Sequence, residues 1–226
     1  MTRYFEYGDK EIAYLKSRDA KLAAAIDAVG HVNREMMEEG DLFAAIVRNI
    51  VGQQISSTAQ ATVWARLVAM LGEVNPATVS AVSPSQLQTC GMTFKKAEYI
   101  ANLADLVESG SFDLDAVKQM SDAEAIKALS TLKGIGEWTA EMLLLFCLGR
   151  PDILSFGDLA IHRGMRMVYH HRKVTREMFE KYRRRYSPYG SVASLYLWAV
   201  SHMDVPGYDR DYAPKHNGRK KGMRSH

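Results

Sequence analysis

The sequence predicts an all-α protein, and three observations carry that prediction. Apolar residues recur at three- and four-residue spacing along most of the chain. Ser, Asp and capping-box signals open these runs, and Gly or Pro closes them. No alternating strand of useful length occurs; the one β-rich run, Ile153–Phe156, is short.

The elements follow in order. Asp9 to about Val29 reads as one or two amphipathic helices. Asp41 caps the apolar run that ends at Gln53-Gln54, and Ser56 or Ser57 caps the next helix, to Leu71. Glu73–Ser83 holds Pro76 and reads as a linker with a short turn. Ser83–Thr89 suggests a short helix ending at Gly91, and Phe94–Glu108 a clear one stopped by Ser109-Gly110. The Pro and Gly residues near 73–93 mark a change of lobe. Ser121-Asp-Ala-Glu124 is a capping box that opens a helix to about Ser130. After Leu132-Lys133-Gly134-Ile135-Gly136 the chain resumes helix from Glu137 to about Leu148. Further helices are predicted near Leu159–Tyr169, Thr175–Tyr186 and Ser191–Met203. Residues 1–206 are expected to form the folded domain and 207–226 a basic, poorly ordered tail.

Composition narrows the classes. The chain has 226 residues and is 47% hydrophobic, enough for a sizeable core. No apolar run reaches the roughly 18 residues that span a bilayer, and MTRYFEYGDKE lacks the apolar stretch of a secretory signal. An intracellular, cytoplasmic protein without a membrane partner is expected. Cys90 and Cys147 match no zinc spacing, fall short of an iron–sulfur ligand set, and are read as buried reduced thiols. His170-His171 has no ligand partner at helical spacing and is not read as a metal site.

Charge is unevenly spread. Residues 159–186 carry nine Lys/Arg against two Glu, a net of +7, and residues 209–226 a net of +4, whereas residues 1–208 sum to −1. A local basic face suits a phosphate-binding protein, although a solvated surface accounts for charge alone. The hairpin adds to this. Glycines one residue apart make a tight turn with positive φ, which leaves the Gly134 and Gly136 amides open at a helix N-terminus. Ile135 would pin the turn to the core, and Thr139 could add a phosphate bond. Alone, such a turn is more often a plain helix connector.

The surrounding residues resemble the helix-hairpin-helix-Gly/Pro-Asp superfamily of base-excision DNA glycosylases. Leu132 through Ala140 matches its hairpin, and Phe156-Gly157-Asp158 its aspartate, twenty residues after Trp138. Ile50-Val51-Gly52-Gln53-Gln54-Ile55-Ser56, Phe94–Ile100 and Ser187–Trp198 are similar to motifs of the 3-methyladenine DNA glycosylase II, or alkylpurine, branch. The match runs in consistent order over about 40–205.

That resemblance implies two helical lobes flanking a DNA-binding cleft, with double-stranded DNA carrying damaged bases as partner and a monomer as the working form. By it Asp158 is the catalytic carboxylate, although a plain N-cap for the following helix also accounts for it. Gln54 is the wedge that fills the gap left by a flipped base, with Gln53, Ser56, Gly134, Gly136, Thr139, His162 and Arg163 near DNA. Trp138, Tyr189 and Met142 line the base pocket, while Trp64 and Trp198 are assigned to the core. Trp138 stands where strand-cutting members carry a lysine nucleophile, which implies hydrolysis without lyase activity. No cofactor is required; the carbonyls of Ser130, Leu132 and Ile135 would hold an optional sodium or potassium ion. The resemblance implies excision of alkylated purines such as 3-methyladenine, in nucleoid or nucleus. A glycosylase for another lesion and a non-catalytic hairpin DNA-binding protein are the alternatives.

Overall fold

The computed structural model describes residues 3–37, 41–202 and 204–214. Among them thirteen helices form, and the only β pairing is an isolated antiparallel bridge between Tyr4 and Glu35. No helix among the described residues is long and apolar enough to cross a membrane.

The helices pack as two groups. One holds α3 (Leu42–Gly52), α4 (Ser57–Leu71), α5 (Pro76–Ser80), α6 (Pro84–Gln88), α7 (Phe94–Glu108), α8 (Leu114–Gln119), α9 (Asp122–Leu129) and α10 (Glu137–Phe146). The other joins both ends of the chain: α1 (Asp9–Arg18) and α2 (Ala20–Val29) pack with α11 (Leu159–Tyr169), α12 (Arg176–Tyr186) and α13 (Gly190–His202). One continuous apolar cluster runs through both groups.

Local chemistry sets the helix starts. Asp41 accepts from the Phe43 and Ala44 amides, and Ser56 from Ala59. Ser121 and Glu124 close both halves of their capping box. Each such cap is worth about 1 kcal/mol. The supposed linker 73–83 contains α5, because Asn75 caps it and Pro76 presets its first turn. The sequence reading also passed over α8, whose start is capped by Asp113 through Asp115 N and Ala116 N, both at 2.9 Å. Ile153–Phe156 forms no strand; side chains of α13 meet the Ile153 backbone and His162 of α11 meets the Phe156 carbonyl instead.

The tail expectation is corrected for residues 207–214. Arg166 of α11 binds Asp211 through two nitrogens, both at 2.6 Å, and Tyr212 stacks on His170 at 4.4 Å. Met203 and residues 215–226, with most of the predicted basic tail, lie outside the described residues.

Helix α11 lies directly on the backbone of α13 at Gly164. A Cβ on Gly164 would stand 2.2 Å from the Leu197 carbonyl oxygen, so only glycine lets the two backbones meet. Gly164→Ala must push α11 off α13. It is expected to cost about 1–3 kcal/mol, lowering the melting temperature by roughly 3–10 °C in a thermal denaturation scan.

Candidate active site

The site begins with a buried loop between α10 and α11. Ile153 N donates to Ser191 Oγ at 2.9 Å, and Ser194 Oγ donates to the Ile153 carbonyl at 2.9 Å, so α13 holds one end of the loop. The loop ends at Asp158, the N-cap of α11. Its Oδ1 accepts from the Ala160 and Ile161 amides at 2.8 and 2.9 Å. Its Oδ2 accepts from the Trp138 indole Nε1 at 2.9 Å. Three N–H donors thus fix both oxygens of a carboxylate that is only 7% exposed. The cap and the catalytic readings of Asp158 are compatible, since the cap is what orients it.

Asp158 faces a cleft of about 900 Å³ between the two helix groups. Trp138, Met142 and Phe146 of α10 and Trp198 of α13 give it apolar walls; Asn49 and His202 add polar groups. Trp138 is 47% exposed, its ring held by the bond to Asp158. Of the three residues expected in the base pocket, Trp138 and Met142 line this cleft. Tyr189 does not: it packs edge-on against Tyr14 of α1, with ring centroids 5.1 Å apart. The aromatic from this part of the chain is Trp198, which stacks on Phe146 at 5.6 Å and which the sequence had assigned to the core. Trp64 is half-buried, with the Arg48 guanidinium over its ring. Leu159, next to Asp158 at the cleft, is 84% exposed and was not singled out from sequence.

The hairpin sits beside the cleft. Gly134 has φ +84°, and a Cβ there would stand 2.5 Å from the Tyr99 ring. Gly136 has φ −94°, ordinary for any residue, so the expectation of positive φ at both glycines holds at only one. Ile135 is buried at 4% exposure, as expected. The Gly134 and Gly136 amides meet no protein acceptor among the described residues, and Thr139 sits in the first turn of α10. This is an anion-ready helix N-terminus.

Two expected DNA contacts have other work. Gln53 turns its carboxamide inward and donates to the Gly134 carbonyl at 2.7 Å, tying the end of α3 to the hairpin. Beneath it the Lys96 ammonium donates to the Val51 and Gln53 carbonyls at 2.9 and 2.6 Å, and burial lowers the Lys96 pKa. The His162 ring bonds the Phe156 carbonyl at 2.8 Å and packs on Phe156 and Phe179, so it supports the loop from below. Gln54, by contrast, is exposed, with φ +59° at the tip of its turn. Ser56 and Arg163 are also exposed, Ser56 serving as the cap of α4.

A buried acid not singled out from sequence lies on the same helix as Trp138, one turn further on. Ser155 Oγ donates to Glu141 of α10. Burial pushes the Glu141 carboxyl up to about 7; the Ser155 bond and Arg183 and Arg176 act against that rise, and Glu137 adds to it. An acid inside the run Ala140–Phe146 was the available signal.

Among the residues proposed for a cation, the Leu132 carbonyl accepts from Ile135 N at 3.1 Å, while those of Ser130 and Ile135 meet no protein donor among the described residues. Carbonyl oxygens of this kind suit a hard cation, so the residues fit.

A hairpin with open amides beside a capped aspartate in an aromatic cleft defines a helix-hairpin-helix protein built to handle DNA. Residues 47–188 match the model of the HhH-GPD superfamily of base excision DNA repair proteins, and the chain belongs to that superfamily. It is 26% identical over 208 residues to DNA-3-methyladenine glycosylase 1 of Schizosaccharomyces pombe, covering 89% of this chain and 90% of that one. A DNA-3-methyladenine glycosidase structure from Bacillus halodurans aligns with TM-score 0.79 and 31% identity over 89% of this chain and 93% of that one. The S. pombe 3-methyladenine DNA glycosylase in complex with abasic DNA aligns with TM-score 0.73 and 25% identity, over 89% of this chain and all of that one. The reading of an all-α DNA glycosylase of base excision repair stands.

Trp138→Phe keeps the ring but removes the donor to Asp158. It is expected to slow single-turnover base excision about tenfold, equivalent to ~1.4 kcal/mol, with little change in melting temperature because the side chain is half-exposed.

Proposed function

We propose that the protein is a monofunctional glycosylase that flips an alkylated purine, such as 3-methyladenine, out of double-stranded DNA and hydrolyses its N-glycosidic bond. The observation that supports this most is Asp158, fixed by three N–H donors at the wall of an aromatic cleft. The names of the relatives favour the alkylpurine substrate class.

The open amides of Gly134 and Gly136 and the exposed Arg163 hold the backbone. Gln54, exposed at its turn, enters the space the base leaves. The flipped base enters the cleft lined by Trp138 and the stacked pair Phe146 and Trp198, and stacks on their aromatic surface, as extruded bases do in enzymes that act on them. As the bond to the base nitrogen breaks, its electron pair leaves with the purine, and a cationic alkylpurine departs neutral. Positive charge grows on the sugar, and the Asp158 carboxylate stabilises it. Water then bonds to C1′ and gives up a proton, with Asp158 orienting the attack.

The position beside Asp158 is filled by an indole, which has no amine to form a Schiff base. Lys133 lies on the exposed side of the hairpin. These two facts favour hydrolysis alone, leaving an abasic site in an uncut strand. The carbonyls of Ser130, Leu132 and Ile135 would hold a sodium or potassium ion, whose charge would strengthen phosphate binding at the hairpin. No other cofactor is proposed. The protein is proposed to act as a monomer, in the compartment that holds the DNA.

Asp158→Asn keeps the cap oxygen and the fold. It is expected to bind a duplex containing one methylated purine as the wild type does, but to release the base about 10²–10³-fold more slowly. Near-normal release by this variant, measured under single-turnover conditions, would remove Asp158 from the chemistry.

A further inference from the structure

Glu141 lies on α10 one turn beyond Trp138, and Ser155 lies three residues before Asp158. Glu141 is 8% and Ser155 1% exposed. The Ser155 hydroxyl donates to Glu141 Oε2, so a second polar bridge joins the same helix and the same loop as the Trp138–Asp158 bond. Gly157 is packed between them: a Cβ there would touch Trp138 Cβ at 3.7 Å and Ser155 Oγ at 3.8 Å. A buried carboxyl in the apolar run Ala140–Phe146 costs stability, and an apolar residue would fill the place better unless the acid serves the site.

We propose that Glu141 is a positioning residue: through the Ser155 hydroxyl it holds the 155–158 turn against α10 and so sets where the Asp158 carboxylate stands in the cleft. The proposal rests on Asp158 being the reacting carboxylate. The groups that bear on Glu141 are Glu137 on its own helix and Arg176 and Arg183 on α12, besides Ser155. Burial raises the carboxyl from the ordinary 4.5 to about 7. Above that pH Glu141 is a carboxylate that accepts the Ser155 proton; below it Glu141 carries its own proton and the bridge changes its donor. The sign for stability follows from the raised pKa. Folding stability falls as the pH rises from about 4.5 to about 7, because over that range the group ionises in the unfolded chain while burial keeps it protonated in the folded one. A glutamine in its place escapes that loss while its amide oxygen still accepts from Ser155.

The test uses the full chain as E141A, S155A, the double variant and E141Q. Three readouts are taken: single-turnover release from a duplex with one methylated purine, affinity for a duplex with an abasic-site analogue, and the Trp138 indole N–H resonance, one of three tryptophans in the chain. E141A and S155A are each expected to slow release about tenfold, the double variant no further, with affinity within about twofold. The Trp138 resonance should move in both single variants and return in E141Q. In the wild type it should titrate near pH 7, and in E141Q it should not. Should E141A fail to fold, S155A and E141Q carry the comparison. Wild-type release rates in E141A or S155A, additive losses in the double variant, or an unmoved Trp138 resonance would overturn the proposal. If the wild type releases no methylated purine, the substrate reading fails instead, and the Trp138 resonance alone decides the positioning role.

Discussion

The bond from the Trp138 indole to Asp158 ties the two helix groups together where the cleft opens. Trp138 belongs to α10, in the group that carries the hairpin; Asp158 caps α11, in the group built from both chain ends. Each group has its own means of placing its half. On one side, Lys96 of α7 holds the end of α3 and Gln53 ties that end to the Gly134 turn, from which α10 starts. On the other, Gly164 lets α11 lie directly on the α13 backbone, and serines of α13 hold the loop that leads to Asp158. A displacement of either half would shift the carboxylate relative to the stacked aromatic walls. Misplacement by about 1 Å is enough to cost two orders of magnitude in rate.

The site therefore spends many buried polar groups on geometry. Ser155, Ser191 and Ser194 are nearly inaccessible, as is Glu141, and each is hydrogen-bonded. No buried side-chain polar atom among the described residues lacks a partner. In a low-dielectric interior such networks rigidify when satisfied and destabilise when broken. The backbone amides of Gly134 and Gly136, by contrast, stay open on the partly exposed hairpin, where a phosphate can reach them.

Local signals in the sequence proved dependable. The caps at Asp41, Ser56 and Asp158 and the Ser121–Glu124 box all survive in the structure, because each depends on neighbours along the chain. What failed depended on tertiary direction. Gln53, Gln54 and Ser56 share one motif, but a single positive φ at Gln54 sends Gln53 inward and leaves Gln54 outside. Tyr189 lies just before α13 and Trp198 nine residues on, about two and a half helical turns later, so only one reaches the cleft. His162 stands one turn after Asp158, yet its ring turns under the loop to Phe156. The helix α8 was missed because six residues give too short a periodic run, and Glu141 because burial of an acid is invisible without its partner on a distant loop.

The central claim is hydrolysis by a fixed carboxylate with no amine at the sugar. Analysing the products of the wild-type protein on a methylated duplex tests it most directly, with released bases identified by mass spectrometry and the strand examined after borohydride treatment. The account predicts free alkylpurine, an abasic but uncut strand, and no protein–DNA adduct. A strand cut by the enzyme, or a borohydride-trapped adduct, would contradict it.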